Sequence, residues 1–182
     1  MNLGVGKMNE TLKTIENRRS IRIYKTEQIK NEELNSILKA GNLAPSAMNQ
    51  KLLHFSVVQS NELVKRINDF CKKALKRDQD KNLNLFYNAP SLVIVSAADN
   101  AIAPEIDAAL ALGNMFLVAQ SLEVASCWIH AVRAISGSEE GKKLLEELKI
   151  PEGYSVVGSG IFGYAASPSY NPRKEGTVHI IK

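Results

Sequence analysis

The sequence of 182 residues contains only two cysteines and three histidines, and this scarcity excludes several kinds of site. Cys71 and Cys127 lie far apart and form no CxxC pair, and the histidines are scattered at His54, His130 and His179. No spacing of metal ligands is therefore present. Isolated cysteines are typical of reduced, partly buried thiols in a cytosolic protein, so we expect a cytoplasmic location.

Long hydrophobic runs are also absent. Residues 1–7 contain no apolar core of signal-peptide length. The longest apolar region, residues 108–125, is interrupted by Asn114, Gln120, Ser121 and Glu123. It predicts a buried helix rather than a membrane span, and we expect no membrane association.

The charge balance is mildly basic, with 23 basic and 19 acidic residues and a formal net charge of +4. Four basic residues close together, Arg18, Arg19, Arg22 and Lys25, equal this whole excess. A nucleic-acid-binding protein usually spreads its basic residues over a face with interleaved aromatic residues, and that pattern is missing. We therefore expect no nucleic-acid partner.

What the chain does contain is an ordinary globular composition, with 45% hydrophobic and 23% charged residues. No repeat or linker divides it, so a single domain over residues 1–182 is predicted. Periodicity and capping residues predict helices beginning after Asn9, within 27–42 with Asn31 as cap, from Ser60, from Pro104 to about Ala125, and after the capping-box spacing Ser136/Glu139. Strands are predicted over 54–58, 91–97, 127–132 and 155–164, with a strand-like end at 177–181.

The densest basic cluster is Arg18-Arg19-Ser20-Ile21-Arg22, directly after the first helical pattern. Guanidinium groups bind phosphate oxygens in pairs, and a serine hydroxyl adds another donor. In an extended segment Arg18, Ser20 and Arg22 point to one side, with Arg19 and Ile21 on the other. The cluster is a candidate site for a phosphate-bearing ligand, although solvated arginine clusters are common on protein surfaces.

A second candidate is the loop of small and polar residues at 43–50. Small side chains let a flat ligand approach the backbone, and Ser46 and Asn49 offer directional hydrogen bonds. An ordinary connection from helix to strand would have a similar composition, so the loop alone does not indicate a ligand.

Four segments taken in order resemble the nitroreductase family of FMN flavoproteins. They are Arg18-Arg19-Ser20-Ile21-Arg22, Ala44-Pro45-Ser46-Ala47-Met48-Asn49, Ser126-Cys127-Trp128-Ile129, and Gly163-Tyr164 followed by Pro172-Arg173-Lys174. The resemblance implies an α+β three-layer sandwich, with a central mixed or antiparallel sheet flanked by helices. It also implies a homodimer with one FMN at each interface and a C-terminal strand exchanged with the partner.

The resemblance further implies which residues bind the cofactor. The FMN contacts would be Arg18, Arg19, Ser20 and Arg22 from the first segment, Pro45, Ser46 and Ala47 against the isoalloxazine, Asn49 by a hydrogen bond to the flavin, and Arg173 at the phosphate. A backbone amide within 158–160 or within 129–131 is a further contact, with the two segments left as alternatives. No metal is implied.

The sequence also departs from the family pattern. Lys51, Leu52 and Leu53 stand where glutamine, proline and tryptophan are usual, and His130 stands where many members have glycine. These differences bear on the substrate rather than on FMN binding.

The activity implied by the resemblance is hydride transfer from NADH or NADPH, through flavin N5, to a small acceptor such as a nitroaromatic or a quinone. No catalytic side chain is needed because the flavin carries the chemistry. Arg22 and Asn49 are expected near flavin N1 and the C2 carbonyl, where a donor stabilises the reduced form. Two alternatives remain: a reductive dehalogenase-like flavoenzyme of the same fold, and a flavin- or nucleotide-binding protein with little turnover.

Overall fold

A computed structural model describes residues 9–167, 172 and 174–182. In this part of the chain there are five α-helices and four β-strands, and from β1 onwards strands and α-helices alternate. In chain order they are α1 (Glu10–Asn17), α2 (Asn31–Asn42), β1 (Leu53–Val58), α3 (Asn61–Ala74), β2 (Ser91–Ala98), α4 (Pro104–Ser121), β3 (Ala125–Ile129), α5 (Glu139–Glu147) and β4 (Tyr154–Gly163). Two short 3-10 helices, Ala47–Asn49 and Ala131–Ile135, precede β1 and follow β3.

The four strands form one antiparallel sheet in the order β1-β2-β4-β3. All eight residues of β2 are buried, as the run of β-branched residues predicts for a strand covered on both faces. β4 is the longest strand, and it pairs with β2 along one side and with β3 along the other. Its ten residues run from one end of the sheet to the other along the strand direction.

Helices cover both faces of the sheet. On one face, a core that includes Leu92, Ile94 and Ile161 packs with residues of α3, α5 and the second 3-10 helix. On the other, Val93 and Val95 pack with α2 and α4. The predicted α+β sandwich of three layers is confirmed.

The helix α4 lies very close to the sheet because β4 presents glycine to it. A Cβ atom added at Gly160 would lie 2.8 Å from Phe116 and 3.1 Å from Leu112, both on α4. Such distances are shorter than carbon atoms tolerate in van der Waals contact. The absence of a side chain at Gly160 therefore lets Phe116 and Leu112 pack directly against the backbone of β4.

Two predicted helix starts are confirmed by hydrogen bonds at their caps. The Asn9 Oδ1 atom accepts from the Leu12 amide at 2.8 Å at the start of α1, and the Ser60 hydroxyl accepts from the Leu63 amide at 3.3 Å at the start of α3. These bonds satisfy amide groups that have no partner within the helix.

Two predicted caps are wrong. Lys30, rather than Asn31, is the cap of α2, and its backbone amide donates to the Glu33 carboxylate at 2.9 Å. Ser138, rather than Ser136, caps α5 by accepting from the Gly141 amide at 3.0 Å. The Ser136 hydroxyl instead accepts from the Val156 amide at 2.9 Å, so a contact with β4 replaces the local one.

Two element boundaries also differ from the predictions. The helix α4 ends at Ser121, because the backbone turns at Glu123, which has a left-handed φ of 59°. β3 begins at Ala125 and ends at Ile129, and Val132, predicted to lie in this strand, is in the second 3-10 helix.

The described C-terminal residues, 174–182, are exposed and form no strand within this chain. Their apolar side chains Val178, Ile180 and Ile181 are 87%, 61% and 89% exposed. Among the described residues, no helix combines the length and apolar character needed to cross a membrane.

Candidate functional site

The 18–22 stretch (residues 18–22) lies along the beginning of β3. Ser20 forms a parallel bridge with Ser126, and the Ile21 amide donates to the Ser126 carbonyl at 3.0 Å. The chain then reaches the end of β4, where the Ala166 amide donates to the Ile23 carbonyl at 3.0 Å. This backbone pairing fixes the predicted cluster at one corner of the sheet.

The two arginines next to α1 are half-buried, and Arg19 folds back onto the end of that helix. Its Nη1 atom donates to the carbonyls of Glu16 and Arg18 at 2.7 and 3.0 Å. Terminal carbonyls of a helix lack partners within the helix, so this side chain satisfies them. Arg19 thus has a structural role here, and its contact with a cofactor stays a prediction.

Arg22 is exposed and faces an open groove. Its guanidinium carbon lies 5.8 Å from the centre of the Tyr87 ring, which is a cation–π distance. The groove has a volume of about 420 Å³, and it is lined by Arg22, Ile23, Tyr24, Asn82, Leu83, Asn84, Tyr87 and Asn88. It offers a cation, an aromatic ring and side-chain amides in one place.

Tyr24 supports this groove from beneath. Its hydroxyl donates to the Ile21 carbonyl at 2.6 Å. Burial, with a smaller contribution from nearby Cys127, raises the pKa of the Tyr24 hydroxyl far above its usual value. Tyr24 therefore keeps its proton at neutral pH and holds the backbone of the stretch.

The asparagines of the groove were not identified as site residues from the sequence. The Asn84 amide donates to Asn88 Oδ1 at 2.7 Å, and Asn84 Oδ1 accepts from the Phe86 amide at 2.9 Å. The side-chain amide of Asn82 has no partner among the described residues. The sequence feature that could have indicated them is the group of three asparagines at positions 82, 84 and 88, but the composition of this segment is typical of a solvated loop.

The second candidate segment, the 44–51 loop (residues 44–51), has an unusual backbone. Met48, Asn49 and Lys51 have left-handed φ values of 48°, 54° and 53°. Residues other than glycine adopt this conformation rarely and at a cost, which surrounding contacts must offset. The side chains of Met48 and Asn49 are both exposed, Met48 to 85%.

Several hydrogen bonds hold this loop. The Ala47 amide donates to Asp107 Oδ1 at 2.9 Å, and the Lys51 amide donates to the Ser46 hydroxyl at 3.1 Å. The Lys51 ammonium donates to the Ala44 carbonyl. Lys51, a departure from the family pattern, therefore closes the loop on itself.

The structure does not bring the two candidate segments together within one chain. Their positions can be compared along β4. Ser20 lies beside Ser126, and Ser126 pairs with Phe162 near the end of β4. Leu53, which follows the loop, pairs with Ala97, and Ala97 pairs with Ser155 near the start of β4. Seven residues of β4 separate these two positions, or about 23 Å. The strands next to the two segments, β3 and β1, are also the opposite edge strands of the sheet, three strand spacings or about 14 Å apart.

The positions of the two segments along the helix α4 also show that they are far apart. Its first turn, at Asp107, contacts the 44–51 loop, and its last residue, Ser121, is close to the start of β3. Fourteen residues of helix correspond to about 21 Å. The two segments therefore occupy opposite ends of the molecule.

The remaining predicted contacts are placed as follows. Arg173 lies outside the described residues, so its predicted role is untested. Residues 158–160 are buried between β2 and β3 in the middle of the sheet, whereas His130, next to Ile129, is exposed. Which of the two alternative backbone segments contacts a cofactor therefore stays a prediction. No cluster of potential metal ligands occurs among the described residues.

The described residues thus form a three-layer α+β fold with arginines at one corner of the sheet and, next to them, a groove that includes side-chain amides. The comparison with known families identifies the class of protein: the chain belongs to the nitroreductase family, whose family model matches residues 15–164.

Individual relatives cover almost the whole chain. A nitroreductase from Bacteroides fragilis, solved with bound FMN, is 35% identical, superposes with a TM-score of 0.90, and is matched over 96% of this chain and 100% of that one. A protein of Archaeoglobus fulgidus, provisionally named NADH dehydrogenase/NAD(P)H nitroreductase, is 34% identical over 86% of each chain. The FMN reductase [NAD(P)H] of Bacillus subtilis is 27% identical over 89% of this chain and 68% of its own length.

Proposed function

We propose that this protein is an FMN-dependent oxidoreductase that uses NADH or NADPH to reduce a small acceptor, such as a nitroaromatic or a quinone. FMN, when bound, would supply the chemistry of accepting and passing on hydride at its N5 atom. The proposal is supported by membership of the nitroreductase family and by relatives with bound FMN or NAD(P)H-dependent names. We also propose a cytoplasmic location, which suits its two free, buried cysteines.

The observation that carries the proposal is the corner formed by the 18–22 stretch and the groove beside Arg22. Guanidinium groups on a backbone held by the sheet, together with the Ser20 hydroxyl, are suitable donors for a phosphate. The groove next to them adds Tyr87 and the amide of Asn82, which match the flat, hydrogen-bonding edge of a flavin ring. The donor set therefore suits FMN, with Arg18 and Ser20 at the phosphate and Arg22 at the ring, and the family resemblance adds Arg173 at the phosphate.

Arg22 would act on the electronics of the bound cofactor. A cation near flavin N1 and the C2 carbonyl stabilises the negative charge that the reduced ring carries. Asn49 would add a hydrogen bond, although it lies on the distant 44–51 loop of the same chain. This placement requires a second copy of the chain.

We propose a homodimer in which each cofactor site combines the 18–22 stretch of one subunit with the 44–51 loop of its partner. In one subunit these segments lie at opposite ends of α4, so one small ligand cannot contact both. Two α4 helices packed antiparallel about a two-fold axis would place the start of one helix beside the end of the other. At each such place, the start of one α4 and the end of the partner's α4 would bring the two segments together to form one site.

The exposed face of α4 has the composition that such packing needs. Ile106 is 65% exposed and Leu110 is 43% exposed, and a Cβ atom added at Gly113 would touch nothing within 4 Å. The helix α1 contacts α4, and its apolar side chains Leu12 and Ile15 are 50% and 42% exposed. Apolar surface of this kind is typical of a subunit interface.

The exposed C-terminal residues 174–182 support the same assembly. Val178, Ile180 and Ile181 belong to neither apolar core among the described residues. We propose that this segment crosses to the partner and pairs with it, as the family resemblance implies.

The binding part of the proposal is tested with purified protein and added FMN. We expect a yellow complex whose visible absorption is bleached by NADH or NADPH under anaerobic conditions. A colourless protein that does not alter the absorption or fluorescence of added FMN would contradict the proposal.

Turnover separates an enzyme from a flavin-binding protein. With a quinone acceptor we expect steady oxidation of NADH or NADPH that continues beyond one equivalent of protein. Reduction of the bound FMN without continued turnover across a panel of quinones and nitroaromatics would instead favour a binding role.

A further inference from the structure

We propose that Asp107 is a positioning residue that sets the 44–51 loop in the conformation needed at the flavin ring of the partner subunit. The inference rests on the proposed FMN function. It concerns a residue in α4, on a different element from every cofactor contact predicted from the sequence. Asp107 would act through the loop, without touching the cofactor itself.

The carboxylate of Asp107 is placed to control this loop. Asp107 is only 4% exposed, although carboxylates are rarely buried without partners. Its Oδ1 atom accepts from the Ala47 amide at 2.9 Å, across 60 positions of sequence. A hydrogen bond to a charged, buried group is among the stronger ones in proteins, and losing one partner leaves the other unsatisfied.

The helix favours this arrangement. Asp107 lies in the first turn of α4, where amide groups and the helix dipole stabilise negative charge. A second contact from the same region supports the bond, since the Ile102 amide donates to Gln50 Oε1 at 3.1 Å. Both ends of the 3-10 helix Ala47–Asn49 are therefore attached to the segment that starts α4.

The bond matters because the loop is strained. Met48 and Asn49 directly follow Ala47 and have left-handed φ values of 48° and 54°. Without the bond to Asp107 the loop could relax to more common conformations, and Asn49 would lose its fixed direction. Preorganised contacts bind more tightly because ordering does not oppose binding.

Location also distinguishes Asp107 from a general structural residue. It holds the loop to α4, the helix that we propose forms the dimer interface. Any shift of this helix is transmitted to the loop, which would contact the cofactor next to the partner's 18–22 stretch. Asp107 therefore links the dimer contact to the shape of the site.

The test compares Asp107→Ala with Asp107→Asn and with Glu105→Ala. Asparagine keeps an oxygen that accepts from the Ala47 amide. Glu105 lies in the same first turn, but its carboxylate pairs with Arg133 at 2.8 Å on the surface, so it is the matched control. Ala47→Pro removes the donor instead of the acceptor. Its neighbour Ser46 has φ −139° and ψ 155°, which suits a residue before proline.

The first measurement is hydrogen exchange of peptides covering residues 44–51, without added FMN. We expect exchange about tenfold faster in Asp107→Ala than in wild type, with Asp107→Asn and Glu105→Ala close to wild type. Peptides from β2 should keep wild-type protection in every variant, which shows that the fold is intact. Unchanged exchange of the loop in Asp107→Ala would overturn the inference.

The second measurement is the dissociation constant of FMN and of riboflavin, which lacks the phosphate. We expect Asp107→Ala and Ala47→Pro to weaken both by a similar factor of about ten, because the loop acts on the ring. A loss for FMN alone, or an equal loss in Glu105→Ala, would overturn the inference. If wild-type protein binds neither flavin, the proposed function fails and the role at the flavin fails with it. Wild-type binding that Asp107→Ala leaves unchanged overturns the positioning role alone.

Discussion

The two ends of α4 carry the two candidate half-sites, and they are built in different ways. At the end near Ser121, the 18–22 stretch is fixed by backbone bridges to β3 and by pairing beyond β4. At the end near Asp107, the 44–51 loop is held by side chains that bond to backbone groups. One half-site is thus part of the sheet, whereas the other is a tethered loop.

This difference has a physical meaning for binding. Guanidinium groups bind a phosphate best when their backbone is rigid, and pairing with the sheet makes the backbone of the 18–22 stretch rigid. A loop that lies against a flat ring needs small side chains and a defined backbone, which local tethers can supply. Each half-site has only one of these properties, so we expect neither to bind FMN well alone.

The largest expected effect comes from separating the two half-sites. Leu110→Asp would place a carboxylate on the exposed apolar face of α4, and burying it in a dimer would cost several kcal/mol. We expect monomers in analytical ultracentrifugation and a loss of FMN affinity of at least about 100-fold. Leu75→Asp is the control, because Leu75 is similarly exposed, at 46%, but lies at the end of α3.

A dimeric Leu110→Asp protein would contradict the proposed interface. A monomer that binds FMN as tightly as wild type would contradict the composite site instead, because a single subunit would then suffice.

An intermediate effect is expected from the half-site on the sheet. Arg22→Gln removes the cation next to the groove, and we expect FMN and riboflavin to bind about tenfold more weakly. The reduced form should lose more than the oxidised form, so the flavin midpoint potential falls by about 30 mV for each tenfold difference. Spectroelectrochemical titration measures this shift. The control is Arg66→Gln, which breaks the exposed pair of Arg66 with Glu147.

If Arg22→Gln weakens FMN but leaves riboflavin and the potential unchanged, Arg22 acts at the phosphate rather than at the ring. That result would keep the half-site and correct the position of this residue within it.

The smallest effect is expected within the tethered loop. Lys51→Met removes the ammonium that donates to the Ala44 carbonyl but keeps the length of the side chain. Because Lys51 is exposed, water replaces part of this bond, and we expect FMN affinity to fall only about threefold. Fluorescence titration of FMN measures the change. A loss greater than that of Asp107→Ala would reverse the order of the two tethers.

Much of the fold could be predicted from the sequence where the signal is local. The β-branched run of β2 gave a fully buried strand, and Asn9 and Ser60 gave the starts of α1 and α3. Predictions were wrong where a distant partner competes with a near one. Ser136 has the spacing of a helix cap, yet its hydroxyl bonds to Val156 on β4.

The candidate site was predictable in its parts but not in its arrangement. The arginines and the small residues of the loop can be recognised as sequence patterns, and their order along the chain is what resembles the family. Nothing local indicates that these segments lie at opposite ends of a helix, because that distance depends on the order of the strands. The roles of Arg19 at the end of α1 and of Asn82 beside Arg22 likewise depend on tertiary contacts.

Gly160 links the interior of each subunit to the spacing of the proposed dimer. A side chain at this position would meet Phe116 and Leu112 of α4, and unless these two side chains turned aside it would push α4 outwards, away from β4. Since the two helices would meet across the two-fold axis, an outward step in each subunit would be doubled between them. A methyl group added inside the sheet would then change the width of the proposed cofactor cleft far from it, and the dimensions of that cleft would be set from inside the protein.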